Sequence, residues 1–461
     1  MQAVDEREKT SARLGLNLFN FLAIYFTVLI ILLLIVRKTS DNPFNLYISI
    51  MWSVYTPAAV LGLMGAIKSR KLESLSMEAK CDSKLHIVIP TVGTFGVMKA
   101  LKRVISSIYD YCPDFFKNFT VDIVVDENSP AIENIYALVS NRSGSRIIVV
   151  PKDFHCRNGT ITKARALEYA REMRSLSGEA GQDEFIYHLD DDTSVSRETI
   201  WSIADFINNR SDRYDLAQGV LTFPHDLSTS YLSKIADSVR PSDDLTRFYF
   251  FTGVLHAPLA GLHGEHLIVR SSVEDTIGWD FGLTKVEDSF FGLEFARKFG
   301  RRSSFLPSRV MDSSPQSLKD LIKQRRRWYC GIMSLVFTRK NIGRTRFPLI
   351  AYAILTLFSP MQYILVILLI SALLSTKALP VSLAFLPVWS FNFAYQLWLY
   401  EEGYKINRGT DSGLSYRKRL RRVMVMPLIY VSGTIEAMAV ALGVVDFIKR
   451  NHSFEVIEKP I

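Results

Sequence analysis

The sequence contains little cysteine. Only four cysteines occur in 461 residues, and all of them lie between Cys81 and Cys330. Their spacing matches no zinc-binding pattern. We therefore expect reduced thiols in a protein, or a part of a protein, that faces a reducing compartment.

Two common nucleotide-binding signatures are also missing. No glycine-rich dinucleotide fingerprint follows a predicted strand, and no P-loop motif occurs. A nucleotide would therefore have to be held by carboxylates, a metal ion and basic side chains. The chain also lacks internal repeats and low-complexity segments, which excludes a repeat architecture.

Long apolar runs, in contrast, flank a central segment that has none. Four runs exceed the roughly 20 residues that cross a bilayer: residues 14–36, 45–67, 347–374 and 378–400. A fifth run, residues 423–448, contains Glu436 and Asp446. These acids could face protein at membrane depth, or the run could be partly interfacial. Both alternatives stay open.

The formal net charge of +9 does not predict nucleic-acid binding. Much of the excess lies beside the apolar runs, and the positive-inside rule assigns those residues to the cytosol. We predict a multipass membrane protein with a cytosolic central domain, in the ER or Golgi of a eukaryote or the plasma membrane of a prokaryote. The predicted domains are 1–71 (tail and two spans), 72–345 (central domain) and 346–461 (membrane or interfacial helices and tail).

The central domain has the pattern of an α/β fold. Apolar runs at 86–91, 121–126, 146–151 and 185–189 read as buried strands, and helical patterns such as 100–109 and 162–174 separate several of them. This alternation predicts a mostly parallel sheet with helices on both faces. Ligands bind beyond the carboxyl ends of such strands, where Thr91, Asp126, Asp190 and Asp192 would lie.

Three charged clusters follow one another in the central domain. Residues 188–193 place three carboxylates after an apolar run, residues 286–288 add an acid pair, and residues 324–328 combine three arginines with a tryptophan. Alone, these are typical of a solvated turn, a helix first turn and a membrane-flanking basic face. Together they indicate a metal site, a general base and a phosphate clamp, as transfer from an activated phosphate donor requires.

The order Asp-X-Asp, Glu-Asp and Gln-X-X-Arg-Trp resembles the inverting membrane glycosyltransferases of family 2, which include cellulose, chitin, hyaluronan and mannan synthases. Within that group the chain is most similar to the egghead-type β-1,4-mannosyltransferases, over residues 147–152, 163–169, 235–240, 242–244 and 287–291. The resemblance implies a GT-A-like α/β nucleotide-sugar transferase domain embedded in an α-helical multipass membrane protein.

The resemblance also implies residue roles. Asp190 and Asp192 would hold Mg²⁺ or Mn²⁺, and Asp288 would be the catalytic base. The donor would be bound by Pro90, Thr91, Asp126, Asp190, Asp191 and Arg327. The acceptor would be bound by Glu287, Gln324, Trp328, His263 and Gly264.

Two basic residues near the start of a predicted helix are further donor-binding candidates. Lys163 and Arg165 follow Asn158-Gly159-Thr160, and an ordinary surface helix is the alternative. Trp328 likewise has two interpretations, a platform for a sugar ring or an anchor at the membrane interface.

The function that the resemblance implies is transfer of mannose from GDP-mannose to a lipid-linked acceptor such as glucosylceramide, with a β-1,4 linkage. The expected partners are a nucleotide sugar, a membrane lipid or glycolipid and the bilayer, without nucleic acid. Two alternatives remain open: a processive polysaccharide synthase, for which five spans are few, and a non-catalytic transporter or scaffold.

Overall fold

The structure is a computed structural model. It describes residues 16–35, 43–72, 80–227, 229–359, 382–408 and 416–450, with isolated residues between 364 and 374. The two termini lie outside the described residues, as do parts of the predicted spans at 14–36, 347–374 and 378–400.

A seven-stranded mixed sheet forms the centre of the domain. Its strands are β1 (Lys84–Thr91), β2 (Phe119–Asp126), β3 (Ser145–Val150), β4 (Glu184–His188), β5 (Leu216–Thr222), β6 (Leu267–Arg270) and β7 (Ser303–Met311). The strand order is β3-β2-β1-β4-β6-β5-β7. Only β6 runs antiparallel to its neighbours β4 and β5. The predicted mostly parallel sheet is therefore confirmed.

The four predicted strands correspond to β1–β4, with ends within two residues of the prediction. Proline has no backbone N–H to donate to a neighbouring strand. Pro90 is tolerated in the central strand β1 because the pairing of β1 with β4 ends at Val88–His188, before it reaches Pro90. Pro307 lies in β7, which is the edge strand of the sheet.

Fifteen helices are used below and are numbered in chain order. They are α1 (Leu18–Ile35), α2 (Pro43–Ser53), α3 (Thr56–Ser69), α4 (Met98–Phe115), α5 (Ile132–Val139), α6 (Thr162–Leu176), α7 (Arg197–Arg210), α8 (Tyr231–Ala236), α9 (Arg240–Asp243), α10 (Ser271–Ile277), α11 (Glu287–Phe299), α12 (Leu318–Thr338), α13 (Phe347–Leu357), α14 (Leu386–Asn407) and α15 (Tyr416–Ile448).

Helices cover both faces of the sheet. Apolar residues of α4, α5 and α7 form one core with the strands, and those of α6, α10 and α11 form another on the opposite face. Burial of these two apolar faces drives the layers together. The carboxyl ends of the parallel strands stay uncovered by this packing and meet at one edge.

An irregular helical segment, residues 231–254, connects the sheet to the C-terminal helices. It contains α8, a 3₁₀ turn (Asp237–Val239), α9 and two π-helical turns (Asp244–Phe248 and Phe250–Val254). It contacts α3 and α14 on one side and β5 and β7 on the other. π-Helical turns often mark functional sites because they redirect side chains.

Two helical stretches are long and apolar enough to cross a bilayer, residues 45–69 and 428–448. A third stretch, Leu18–Leu34, is apolar but shorter. The assignment of these stretches rests on their length and composition alone. In α14, by contrast, Trp389 and Trp398 are fully buried against neighbouring helices.

Glu436 and Asp446 of α15 both face protein. Arg326 of α12 donates from Nε and Nη2 to the two carboxylate oxygens of Asp446, at 2.5 and 2.7 Å. Arg325 Nε donates to Glu436 Oε1 at 3.0 Å. Two ion pairs therefore join the last helix to α12, and both alternatives for the position of these acids relative to a membrane stay predictions.

We predict that Asp446→Asn lowers the thermal unfolding midpoint, because it weakens a bidentate pair whose carboxylate is 8% exposed. Hydrogen bonds to charged groups are worth about 1.5–3 kcal/mol, and we expect the lower end because Arg326 is 32% exposed. Thermal melts in detergent would measure the change.

The control is Asp82→Asn, which removes a pair with Lys117 whose side chains are 79% and 58% exposed. It should leave the midpoint unchanged. Arg326→Asp combined with Asp446→Arg should recover part of the loss. An unchanged midpoint in Asp446→Asn would contradict the assignment.

Candidate active site

The acidic loop after β4 is fixed to its neighbours by several hydrogen bonds. Thr91 Oγ1, at the end of β1, donates to Asp191 Oδ2 at 2.6 Å. Arg103 of α4 donates from Nη2 to the Asp192 carbonyl at 3.2 Å and from Nε to Ser194 Oγ at 3.1 Å. The loop is thus held on both sides of Asp192, with its carboxylates at the carboxyl edge of the sheet.

Lys163 lies in the first turn of α6 and reaches across this edge. Its ammonium forms an ion pair with Asp190 and donates to the Gly264 carbonyl at 3.3 Å. Burial would lower the pKa of Lys163, but the charges of Asp190 and Glu287 outweigh it and raise the pKa. Lys163 is therefore paired with the acidic loop, and its donor-binding role stays a prediction.

Glu287 and Asp288 form the first turn of α11. The Ser289 N–H donates to Asp288 Oδ1 at 2.7 Å. Burial and the neighbouring Asp288 raise the pKa of Glu287, and burial raises the pKa of Asp288 despite the charge of Lys163. A carboxylate with a raised pKa binds a proton more strongly, which suits a general base.

Gly264 lies between Lys163 and Asp288. A Cβ atom on Gly264 would lie 2.7 Å from Lys163 Nζ and 3.5 Å from Asp288 Oδ2. A side chain at this position would displace the ammonium, so the site needs glycine for close approach rather than for backbone freedom.

The three arginines of the third cluster have different partners. Arg325 and Arg326 bind acids of α15, and Arg325 also pairs with Asp237 of the irregular helical segment. Burial lowers the pKa of Arg327, and the negative charges of Glu287, Asp190 and Asp288 partly offset this effect. Arg327 is thus the arginine of this cluster that shares the electrostatic environment of the acids.

Gln324 and Trp328 lie one turn apart on α12. Gln324 Oε1 accepts a hydrogen bond from Arg325 Nη1 at 2.5 Å. The guanidinium carbons of Arg240 and Arg325 lie 4.5 and 4.4 Å from the Trp328 ring centroid. These cation–π contacts occupy part of the indole surface. An acceptor role for Gln324 and Trp328 stays a prediction.

Asp126 and Arg165 form a separate pair beside the end of β2. Arg165 Nη1 donates to Asp126 Oδ1 at 2.6 Å, and Nη2 donates to the Pro151 carbonyl at 2.6 Å. The Asp126 side chain is 57% exposed. Pro90 lies next to this pair in the sheet, paired with Val124. The three residues border one side of the sheet edge, and their donor-binding roles stay predictions.

His263 is held by the irregular helical segment and by β5. Its Nε2 lies 2.6 Å from Asp244 Oδ1, and its backbone N–H donates to Gln218 Oε1 at 2.7 Å. The next acid along the loop, Glu265, accepts from Thr193 Oγ1 at 3.2 Å. The His263–His266 loop therefore joins the acidic loop to the irregular segment.

Among the described residues, no group of three or more histidine, cysteine or acidic side chains is arranged to hold a metal ion by itself. Asp190 and Asp192 are two carboxylates, and the ammonium of Lys163 already binds the first. Mg²⁺ commonly takes one or two carboxylates and completes its shell with water and phosphate oxygens. The two acids therefore fit a site in which the donor phosphates and water supply the remaining ligands, rather than a site whose ligands all come from the protein.

Three of these residues carry no local sequence signal for the site. Arg103 lies within the helical pattern at 100–109, Gln218 lies in an unpredicted strand, and Asp244 belongs only to a segment of the family resemblance. Their partners are 89, 45 and 19 residues away, so no local pattern could reveal them.

We predict that His266 makes the fold sensitive to acid. Burial lowers the pKa of His266 to about 3, whereas the unfolded chain titrates near the ordinary value of about 6.5. Below pH 6.5 the unfolded state binds more protons, so the free energy of unfolding should fall by up to about 1.4 kcal/mol per pH unit until pH 3.

Thermal melts from pH 7 to pH 5 would test this. His266→Gln keeps a donor for the Ser308 carbonyl and should reduce the pH slope, whereas His155→Gln, at an exposed position, should not. Equal slopes in the three proteins would refute the prediction.

Comparisons with known proteins agree with this geometry. Residues 185–399 match the model of glycosyl transferase family group 2. The chain is 28% identical over 225 residues to β-1,4-mannosyltransferase egh of Drosophila melanogaster, which covers 48% of this chain and 46% of that protein. It is 28% identical over 230 residues to β-1,4-mannosyltransferase bre-3 of Caenorhabditis elegans, with 49% and 47% covered. The matches span about half the length of these curated relatives.

The fold is similar to that of the mannosyltransferase PcManGT from Pyrobaculum calidifontis, solved in complex with GDP-Man and Mn²⁺. The TM-score is 0.51 at 14% sequence identity, and the match covers 88% of this chain and 99% of the other. The GT-A-like α/β fold is confirmed. The resemblance drawn from the three motifs is confirmed as well, since residues 185–399 match the model of glycosyl transferase family group 2 and the curated relatives are β-1,4-mannosyltransferases.

Proposed function

We propose that the chain is an inverting glycosyltransferase that transfers mannose from GDP-mannose to a lipid-linked acceptor such as glucosylceramide, with a β-1,4 linkage. One observation is central to this proposal. Asp190, Lys163, Glu287, Asp288 and Arg327 share one electrostatic environment at the carboxyl edge of the sheet. The names of the curated relatives support mannose as the transferred sugar.

The proposed reaction is a single displacement. The acceptor hydroxyl attacks the anomeric carbon, the bond from that carbon to the diphosphate oxygen breaks, and the hydroxyl proton passes to the Asp288 carboxylate. Attack opposite the leaving group converts an α-linked donor into a β-linked product. General-base assistance of this kind is typically worth about 10²–10⁴-fold in rate.

Negative charge that develops on the departing diphosphate needs compensation. Arg327 is the arginine of α12 near the acids, and Lys163 adds a second cation. Asp190 and Asp192 would hold Mg²⁺ or Mn²⁺, which supplies Lewis-acid stabilisation of the diphosphate when bound. Thr91 keeps Asp191 in place beside them. Pro90, Asp126 and Arg165 would contact the nucleoside end of the donor.

We further propose that residues 72–345 are a cytosolic catalytic domain between membrane-associated segments 1–71 and 346–461. The apolar stretches 45–69 and 428–448 support this arrangement. A lipid-linked acceptor would keep its chain in the bilayer while its head group reaches Asp288.

We predict that Asp288→Asn abolishes mannose transfer while the affinity for GDP-mannose stays within a few-fold, because the donor is held elsewhere. Radiolabelled transfer and donor binding by the purified full chain would measure the two effects. Glu198→Gln is the matched control, since Glu198 is also the second residue of a helix with a pKa raised by burial. Full turnover by Asp288→Asn would assign the base elsewhere.

We predict that a chelator stops transfer and that Mg²⁺ or Mn²⁺ restores it. Asp192→Asn should raise the metal concentration needed for half-maximal rate, whereas Asp126→Asn should not. Undiminished transfer in excess chelator would remove the metal from the mechanism.

We predict a strong preference for detergent-dispersed glucosylceramide over its free head group at matched concentration. Membrane anchoring turns a three-dimensional search into a local one, so the lipid-linked acceptor should react faster. Initial rates and product length would be measured together. Equal rates, or a ladder of many sugars, would favour a processive polysaccharide synthase instead.

A further inference from the structure

A buried carboxylate–imidazole pair lies close to the proposed base. His263 Nε2 is 2.6 Å from Asp244 Oδ1, and the two side chains are only 9% and 1% exposed. A buried donor or acceptor without a hydrogen-bond partner lowers the stability of the fold, so each polar atom of such a pair needs a partner.

The partners of Asp244 determine which ring nitrogen of His263 carries the proton. Asp244 Oδ2 accepts the Leu221 backbone N–H at 2.8 Å, so this oxygen is a committed acceptor. The other oxygen, as part of a carboxylate, also only accepts. His263 Nε2 must therefore be the donor, and in the neutral imidazole Nδ1 then carries a lone pair.

Nδ1 of His263 is available to a ligand. The imidazole packs 4.3 Å from the Phe248 ring, and the backbone N–H is bound to Gln218. Within the described ranges, Nδ1 has no hydrogen-bond partner, and the His263 side chain is 9% exposed.

The neighbouring residue, Gly264, locates this loop against the site. Its carbonyl accepts from Lys163, and a Cβ atom there would lie 3.5 Å from Asp288 Oδ2. The loop that carries His263 is therefore adjacent to Asp288.

We propose that Asp244 is a positioning residue that holds His263 in the Nε2–H tautomer, so that Nδ1 accepts a hydrogen bond from a hydroxyl of the acceptor sugar. This inference rests on the proposed function and deepens it, because it names what orients the acceptor beside Asp288. The acceptor class is a sugar with a free hydroxyl next to the one that attacks.

The variant Asp244→Asn tests the tautomer directly. Leu221 N–H needs a carbonyl, so the asparagine oxygen must face Leu221 and its amide N–H must face His263 Nε2. This arrangement puts the proton on Nδ1 and turns an acceptor into a donor. We expect kcat/KM for the acceptor to fall at least about tenfold, and KM for GDP-mannose to change less than about twofold.

The neighbouring Asp243→Asn is the matched control. Asp243 pairs with Arg247 on the same helical segment and is 25% exposed. This variant perturbs the segment without touching His263, and its acceptor kcat/KM should match the wild type. An equal loss in both variants would show a merely structural role and overturn the proposal.

A double-mutant cycle separates positioning from packing. In a His263→Ala background, Asp244→Asn should cost no more than about twofold, because the residue it positions is gone. Full additivity of the two losses would overturn the proposal.

Nitrogen NMR of histidine-labelled full chain supplies a readout that needs neither activity nor a stable Asp244 variant. The His263 signals, identified by their loss in His263→Gln, should show protonated Nε2 and unprotonated Nδ1, and added glucosylceramide should shift Nδ1. The opposite tautomer would overturn the proposal. If the wild type transfers no sugar but shows the expected tautomer, the proposed function fails and the assignment of Asp244 to the tautomer stands.

Discussion

The site depends on how its clustered acids are compensated. Among the described residues, Asp190, Glu287 and Asp288 share one environment with two cations, Lys163 and Arg327. If all five were ionised, three negative and two positive charges would leave one negative charge uncompensated. The raised pKa values of Glu287 and Asp288 follow from burial combined with this shortage of cations. The same shortage favours an additional cation.

The helix α12 divides its arginines between structure and charge compensation. Arg325 and Arg326 bind Asp237, Glu436 and Asp446, which ties the irregular segment and the last helix to one frame. Arg327, the next residue, faces the acids instead. A continuous helix gives successive residues directions about 100° apart, so one short basic run can serve both purposes. The run is thus more than the membrane-flanking face that its composition alone would indicate.

Local sequence patterns were sufficient for the first half of the sheet but not for the second. β1–β4 are apolar runs ended by turns or acids, and their parallel order brings Thr91 and Asp191 together. β5 contains Gln218 and Gly219, β6 has four residues, and β7 contains Pro307. Such strands are formed by tertiary packing: Gly219 is required because a Cβ there would lie 2.0 Å from His266 Nε2. Family resemblance supplied the roles that local pattern could not.

The irregular segment connects helices α12 and α13 to the sheet edge. Asp237 binds Arg325 of α12, Asp244 binds His263, and Arg247 packs 4.1 Å from the Tyr352 ring of α13. In a regular helix Asp237 and Asp244 would be seven residues apart on nearly the same face. The π-helical turn that begins at Asp244 changes the direction of the following side chains. The loop with His263 and the cluster with Arg325 are therefore anchored to one short backbone, so a displacement of α12 would be transmitted to the sheet edge.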